Sequence, residues 1–72
     1  MKGINLSSWS SREIIKMLIA DGWFEVGCEG DHHQFEHKTK KGKVTVPHPR
    51  KDIAINLAKI IFKQAGISNY RR

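Results

Sequence analysis

The sequence predicts an α+β fold in the order αβββα, in which two helices cover one face of a three-stranded antiparallel sheet. Three observations support this prediction. A helix-start signal followed by an apolar stripe lies near the N-terminus, three short strand-like segments with turns between them occupy the middle, and a second helical period follows. A sheet this small covers only one face with two helices, so its other face stays exposed to water.

The first helix is predicted to begin after Ser10. Ser10 and Glu13 have the spacing of a capping box, in which each side chain bonds the backbone amide of the other residue. Trp9 and Ile14 stand where a hydrophobic staple would place them, and Gly22 is positioned to end the helix in the left-handed conformation. The apolar stripe predicted to face the core consists of Ile14, Ile15, Leu18 and Ile19.

Three strands are predicted between Trp23 and Val46. In the first, Trp23–Cys28, alternation places Phe24, Val26 and Cys28 on the inner face. The second, His32–Lys38, follows the turn 29–31 and puts Phe35 inside with His33 and His37, while His32, Gln34 and Glu36 face outward. A hairpin loop over 38–42 leads to the third strand, 43–46, with Val44 and Val46 inward and Pro47 as its stop.

The second helix is predicted from a helical period that starts at Ile53. Asp52 or Asn56 is expected to cap it, and Gly66 to end it. The apolar residues at helical spacing are Ile53, Leu57, Ile60, Ile61 and Ala65. The whole chain, 1–72, is expected to form one domain with a core spanning about residues 9–68, because its length leaves no room for a second domain.

Charge indicates an anionic partner. The 72 residues contain 13 Lys and Arg against 7 Asp and Glu, for a formal charge of +6. Six of the acidic residues lie within 13–36, whereas 37–51 contains six cations and no acid, so nucleic acid is the first candidate partner. Exposed lysines can also serve solubility alone. The cations of this segment are Lys38, Lys40, Lys41, Lys43, Arg50 and Lys51.

The same composition predicts a cytoplasmic protein. The chain has a single cysteine, Cys28, which cannot form an internal disulfide and suits a reducing compartment. No apolar run approaches the roughly 20 residues of a membrane span, and the N-terminal segment lacks the pattern of a signal peptide. We therefore expect no membrane association.

The histidines are the residues with the clearest chemical potential. His32 and His33 point to opposite faces of one strand and Cys28 has no second cysteine, so neither a metal nor another cofactor is predicted. Strand alternation turns Cys28 inward, which argues against a catalytic thiol. His32 faces solvent beside Asp31, where an imidazole could exchange a proton with a ribose 2′-hydroxyl while nearby cations hold the phosphate. The residue types and spacing alone favour a plain surface histidine, so on this basis the catalytic role is only a suggestion.

Residues 9–68 resemble the HicA-type (YcfA-like) mRNA interferase toxins of bacterial toxin–antitoxin systems. The matching stretches, in order along the chain, are 11–16 with Asp21-Gly22-Trp23, then Gly30-Asp31-His32-His33-Gln34-Phe35-Glu36-His37, then 42–49 and 60–67. The resemblance implies a fold similar to double-stranded RNA-binding domains, which agrees with the αβββα order. It also implies a type II toxin that cleaves mRNA without a metal and is inhibited by a HicB-type antitoxin.

The family's Gly-Ser-His-x-x-[Phe/Tyr] motif places catalysis on one histidine. Gly30, His32 and Phe35 match it, so the resemblance assigns the catalytic role to His32 with Gly30, Asp31 and Phe35 in support. Asp31 stands where serine is usual, and its carboxylate could orient the imidazole or repel the phosphate. A non-catalytic RNA-binding module and a degenerate toxin are the alternatives.

RNA contacts are expected from a second group of residues. His48, held extended by the proline that follows it, is either a stiff turn residue or a contact to RNA or antitoxin. Trp23 is expected in the inner scaffold rather than in base stacking. The residues predicted to bind RNA are Lys38, Lys40, Lys41, Lys43, His48 and Arg50.

Overall fold

The computed structural model describes residues 8–68 and 70; residues 1–7, 69, 71 and 72 of the predicted domain lie outside this part. The predicted α+β class is confirmed, with two helices and a three-stranded antiparallel sheet. A small two-stranded sheet was not predicted. In chain order the elements are β1 (Ser8–Trp9), α1 (Ser11–Ala20), β2 (Trp23–Glu29), β3 (His32–His37), β4 (Val44–Pro47), β5 (Ile53–Ala54) and α2 (Ile55–Gln64).

The main sheet has the order β2-β3-β4, so β3 is its central strand. His32 pairs with Glu29 on β2 and with Pro47 on β4, while Phe35 pairs with Val44. Pro47 is therefore the last residue of β4 rather than the residue after it. The second sheet joins β1 to β5, with Trp9 opposite Ile53.

The core lies between the main sheet and the two helices. Phe35 is 1% exposed, which confirms the inner face of β3, and Trp23 is 2% exposed, which confirms its place in the scaffold. The ring of Trp9 meets that of Phe62 edge-on at 5.1 Å between centroids. The remaining buried apolar residues are Ile14, Leu18, Val44, Val46, Ile53, Ala58, Ile61, Ala65 and Ile67.

Helix α1 begins with the predicted capping box. The Ser10 hydroxyl accepts a hydrogen bond from the Glu13 amide at 3.1 Å, and the Glu13 carboxylate accepts one from the Ser10 amide at 2.9 Å. Gly22, with φ of +102°, follows the helix, and a side chain there would also meet the ring of His37. The predicted stripe is right for Ile14 and Leu18 but wrong for Ile19, which is 58% exposed because it lies about 140° around the helix from Ile14.

Removal of this cap gives a first testable result. We expect Ser10→Ala to lower the free energy of unfolding by about 1 kcal/mol, because the amide of Glu13 loses its acceptor. Urea unfolding followed by circular dichroism measures the change. Ser10→Asn is the matched control and should retain most of the stability, since asparagine caps helices comparably. An equal loss in both variants would contradict the capping role.

Helix α2 differs from the prediction in its start and in its buried face. It begins at Ile55 after Ala54, which makes no side-chain cap, so neither Asp52 nor Asn56 caps it. Ile53 is buried, but in β5 rather than in the helix. The buried residues are Ala58, Ile61, Phe62 and Ala65, at the i, i+3, i+4, i+7 spacing of one helix face. That phase leaves Leu57 and Ile60 exposed, contrary to the prediction.

The prediction that Phe24, Val26 and Cys28 lie in the core on the inner face of β2 is also wrong. Phe24, Val26 and Cys28 are all exposed, whereas Trp23 is buried. The register of β2 against β3 shifts between Glu25 and Gly27, which marks a β-bulge. Phe24 precedes the bulge and faces outward because it pairs with Glu36, whereas the extra residue shifts the alternation after Glu25. Cys28 lies on the face of His33, its direct partner across the strands, but at the exposed edge rather than in the core.

Candidate functional site

His32 occupies the first position of β3 and points away from the helices. Its side chain is 63% exposed, and Phe35, three residues later, anchors the opposite face of the strand in the core. Gly30 precedes it in the turn with φ of +61°, a backbone conformation that favours glycine. The predicted solvent-facing position of His32 therefore agrees with the structure.

Asp31 lies between His32 and Arg50. One carboxylate oxygen is 3.5 Å from His32 Nε2, and the other accepts a hydrogen bond from Arg50 Nη2 at 3.0 Å. The hydrogen bond from Arg50 is the main reason why the pKa of Asp31 lies below its ordinary value, and the nearby His32 lowers it further. Asp31 is thus a carboxylate at neutral pH, and it holds a guanidinium beside the imidazole.

Ser11, the first residue of α1, fixes the loop that carries Arg50. Its hydroxyl accepts a hydrogen bond from the Arg50 amide at 2.8 Å and lies 2.6 Å from His48 Nδ1. The Ser11 amide donates to the Arg50 carbonyl at 2.8 Å, and the His48 amide donates to the Asp31 carbonyl, also at 2.8 Å. These bonds tie the loop both to the helix and to the turn before His32.

Sequence reasoning missed this role of Ser11. Ser11 is 1% exposed, and a buried hydroxyl is satisfied by hydrogen bonds, here to His48 and Arg50. These partners are 37 and 39 residues away along the chain, so no local sequence pattern indicates these contacts. The spacing around Ser11 indicated only the capping box of its neighbour Ser10.

The lysine loop lies at the other end of the hairpin from His32. Because His32 pairs with Pro47 in an antiparallel register, the connection between β3 and β4 is at the far end of both strands. At about 3.3 Å per strand residue, Lys38 is about 20 Å from His32. The expectation that the loop lysines are among the cations close to His32 is therefore corrected, and Arg50 is the predicted cation that bonds the neighbouring Asp31.

Lys40 stabilises the position of this loop rather than presenting a free charge to solvent. Its ammonium donates to the Asp21 carboxylate at 2.6 Å and to the carbonyls of Ala65 and Gly66 at 3.0 and 3.2 Å. It therefore joins the loop to the ends of both helices. Lys43 lies 3.9 Å from Glu36. Within residues 8–68 and 70, the other predicted loop cations, Lys38 and Lys41, take part in no ion pair.

We expect Lys40→Met to destabilise the fold by roughly 1 kcal/mol at neutral pH. The hydrogen bond from Lys40 is the largest cause that holds the pKa of Asp21 below its ordinary 3.8. Because the folded pKa is lowered, the stabilisation is complete above the unfolded pKa and is lost as pH falls through the folded value. Melting temperature should thus fall less steeply in Lys40→Met than in the wild type below about pH 5.

The control for this prediction lies in the same loop. Lys41→Met removes an exposed lysine that makes no ion pair among the described residues, so its stability and pH dependence should match the wild type. Thermal unfolding followed at several pH values measures both variants. A Lys40→Met variant with unchanged acid sensitivity would contradict the structural role.

His37 and His33 have packing roles, as their inward face predicted. The Nδ1 of His37 accepts hydrogen bonds from the amides of Thr39 and Lys40, each at 3.1 Å, so its Nε2 carries the proton donated to the Asp21 carbonyl at 2.8 Å. The ring of His33 meets that of His48 edge-on at 5.1 Å.

A basic cleft opens next to Arg50. Its volume is about 490 Å³, and Arg12 and Lys51 contribute positive charge together with Arg50. Sequence reasoning did not predict a role for Arg12, which lies in the acidic half of the chain but is exposed at the start of α1. The residues that line the cleft are Ser10, Ser11, Arg12, His48, Pro49, Arg50 and Lys51. The cleft thus combines cations of α1 and of the loop after β4, and Arg50 links it to the Asp31 carboxylate next to His32.

Neither helix in the described part of the chain has the length and apolar character needed to cross a membrane.

Comparison with known proteins identifies similar chains. The family described as the HicA toxin of bacterial toxin–antitoxin systems matches residues 11–67. A solved toxin–antitoxin complex from Streptococcus pneumoniae contains a chain that is 29% identical, with a TM-score of 0.69 over 81% of this chain and 97% of that chain. No curated protein sequence matches.

Proposed function

The chain belongs to the HicA toxin family of bacterial toxin–antitoxin systems, and from this premise we propose that it is a metal-independent endoribonuclease that cleaves mRNA. The observation that carries the proposal is the exposed imidazole of His32 on the uncovered sheet face, beside the ion pair of Asp31 with Arg50. An imidazole in water can take and return a proton near neutral pH, as cleavage of RNA through its 2′-hydroxyl requires.

In the proposed reaction His32 acts as the general base. The carboxylate of Asp31 lies nearest to Nε2 and favours the proton on that nitrogen, so Nδ1 is free to accept the proton of the ribose 2′-hydroxyl. The 2′-oxygen then attacks the phosphorus and the bond to the 5′-oxygen breaks. The products are a 2′,3′-cyclic phosphate and a 5′-hydroxyl, with the leaving oxygen protonated by the imidazolium or by water.

Arg50 is proposed to hold the reacting phosphate. A guanidinium has five N–H donors, and the hydrogen bond to Asp31 engages Nη2, so donors remain for phosphate oxygens. The Ser11 hydrogen bonds orient the Arg50 backbone in advance, which reduces the entropy lost on binding. Arg12 and Lys51 extend the positive surface along the cleft, while Lys38 and Lys41 offer contacts to RNA farther from His32.

The proposed protein partner is a HicB-type antitoxin, and the proposed compartment is the cytoplasm, where mRNA is found. The similarity to a chain of a toxin–antitoxin complex supports a protein partner. Neutralisation would be simplest if acidic groups of the antitoxin covered His32 and Arg50, because this blocks the base and competes for the cation that holds phosphate.

The test of the proposed function is cleavage of a single-stranded RNA by the purified chain in the presence of EDTA. We expect slow cleavage with 2′,3′-cyclic phosphate ends, because one acid–base group supplies only about 10²–10⁴-fold acceleration. Induced expression should arrest growth, and expression with a cognate antitoxin should restore it. Retention of RNA without any cleavage would favour a non-catalytic RNA-binding module, and an inert chain would indicate a degenerate toxin.

A further inference from the structure

Three side chains with metal-ligating atoms meet at the edge of β2, on the opposite face of the sheet from His32. One oxygen of Glu25, the sulfur of Cys28 and one ring nitrogen of His33 lie within 4.8 Å of one another. Nothing in the proposed cleavage reaction uses these groups. Two of them lie on β2 and one on β3, so the cluster bridges two strands.

The β-bulge creates this juxtaposition. Residues three apart in a regular strand point to opposite faces, so Glu25 and Cys28 would be separated. The register shift between Glu25 and Gly27 instead pairs Glu25 with Phe35 and Cys28 with His33. Because directly paired residues share a face and His33 and Phe35 are two residues apart, all the side chains of the cluster face the same way. The alternation used for the sequence prediction could not reveal this.

The hydrogen bond to Glu25 fixes the protonation pattern of His33. A carboxylate only accepts, so the 2.8 Å contact of Glu25 Oε2 with His33 Nδ1 places a proton on Nδ1. In the neutral ring Nε2 then carries a lone pair, and that nitrogen lies 3.5 Å from the sulfur of Cys28. A histidine whose second nitrogen donates to a carboxylate is the usual arrangement for a metal-bound imidazole.

The distance between the two donor atoms also suits a metal. Zinc binds cysteine sulfur at about 2.3 Å and histidine nitrogen at about 2.0–2.1 Å, so a tetrahedral angle separates the two ligands by about 3.5 Å. The observed separation is 3.5 Å. A metal ion can therefore replace the thiol proton, which passes to solvent, without movement of either strand. Cys28 is exposed, so water has access to the remaining coordination positions.

We propose that Cys28 and His33 form a binding site for a zinc-class divalent ion, with Glu25 orienting His33. The bound ion joins β2 to β3 next to the turn that connects these two strands. Sγ of Cys28 also lies 3.3 Å from the Gly30 carbonyl, and the ring of His33 packs on His48. Metal binding therefore stiffens both the turn that precedes His32 and the loop after β4. This proposal does not depend on RNA cleavage.

The test is thermal unfolding of the full chain with and without Zn²⁺. At about ten times the dissociation constant we expect the melting temperature to rise by roughly 5–10 °C, because the ion binds the folded chain preferentially. Cys28→Ser and His33→Gln should each abolish the shift, and Glu25→Gln should weaken binding by about 10–100-fold. His32→Gln is the matched control: it removes an exposed histidine one residue away and should keep the shift.

Co²⁺ supplies a second readout. The wild type should show a sulfur-to-cobalt charge-transfer band that is absent in Cys28→Ser. A wild type without a temperature shift, or a shift that persists in Cys28→Ser, would overturn the proposal. So would the absence of the cobalt band together with alkylation of Cys28 that is faster in the wild type than in His33→Gln, since that result assigns the cluster to an activated thiol instead.

Discussion

His32→Ala should lower the rate of RNA cleavage by about 10²–10⁴-fold while leaving the melting temperature within a few degrees of the wild type. The loss follows from removal of the proposed base. The stability should persist because the side chain is 63% exposed and lies on the face of β3 opposite to Phe35. Cleavage of a labelled RNA in EDTA, together with circular dichroism of both proteins, measures the two quantities.

The neighbouring histidine provides the control for this experiment. His33→Gln removes an imidazole one residue away on the opposite face of β3, so cleavage should continue at a rate close to that of the wild type. Undiminished cleavage by His32→Ala would refute the assignment of the base. Equal losses in both variants would point instead to a general disturbance of β3.

Phe62→Ala should lower the free energy of unfolding by about 3–5 kcal/mol, the typical cost of a cavity left by a buried aromatic side chain. Phe62 is fully buried, meets Trp9 edge-on at 5.1 Å and stacks on Tyr70 at 4.4 Å. A domain of this length has a total stability of about 4–11 kcal/mol. The expected loss is a large part of this total, so the urea concentration at the unfolding midpoint should be far below that of the wild type.

Ile60→Ala is the matched substitution on the same helix. Its side chain is 52% exposed, so its removal should cost less than about 1 kcal/mol. The pair of variants tests the phase of α2 directly, because the apolar period in the sequence predicts Ile60 inside and does not include Phe62. A larger loss in Ile60→Ala than in Phe62→Ala would show that the helix faces the core with its other side.

The sequence predicted those elements whose signals are local. The capping box of Ser10 with Glu13, the end of α1 at Gly22 and the inward side chain of Phe35 are each encoded within a few residues. The phase of α2 failed because Ile53 was included in its period. Ile53 is buried through pairing with Trp9, and a pairing between residues so far apart in the chain leaves no local pattern.

The candidate site likewise contains some features that a local sequence pattern predicts and others that depend on contacts between distant segments. His32 and its turn were predictable because the motif and the strand alternation are local. The ion pair of Asp31 with Arg50 and the hydrogen bonds of Ser11 with His48 join segments that only the folded chain brings together. The loop lysines were expected near His32 because 37–51 is rich in cations, but a cationic segment does not show at which end of a hairpin its charge lies.

The bulge in β2 also affects how the sheet meets other molecules. β2 is an edge strand of the sheet, and a regular edge strand has free backbone amides and carbonyls to which another chain can hydrogen-bond as a further strand. The irregular spacing between Glu25 and Gly27 interrupts that template, and if two β2 edges paired, the carboxylates of Glu25 and Glu29 would meet those of the second copy and repel them. The same extra residue therefore disfavours edge-to-edge pairing of copies into extended β-sheets.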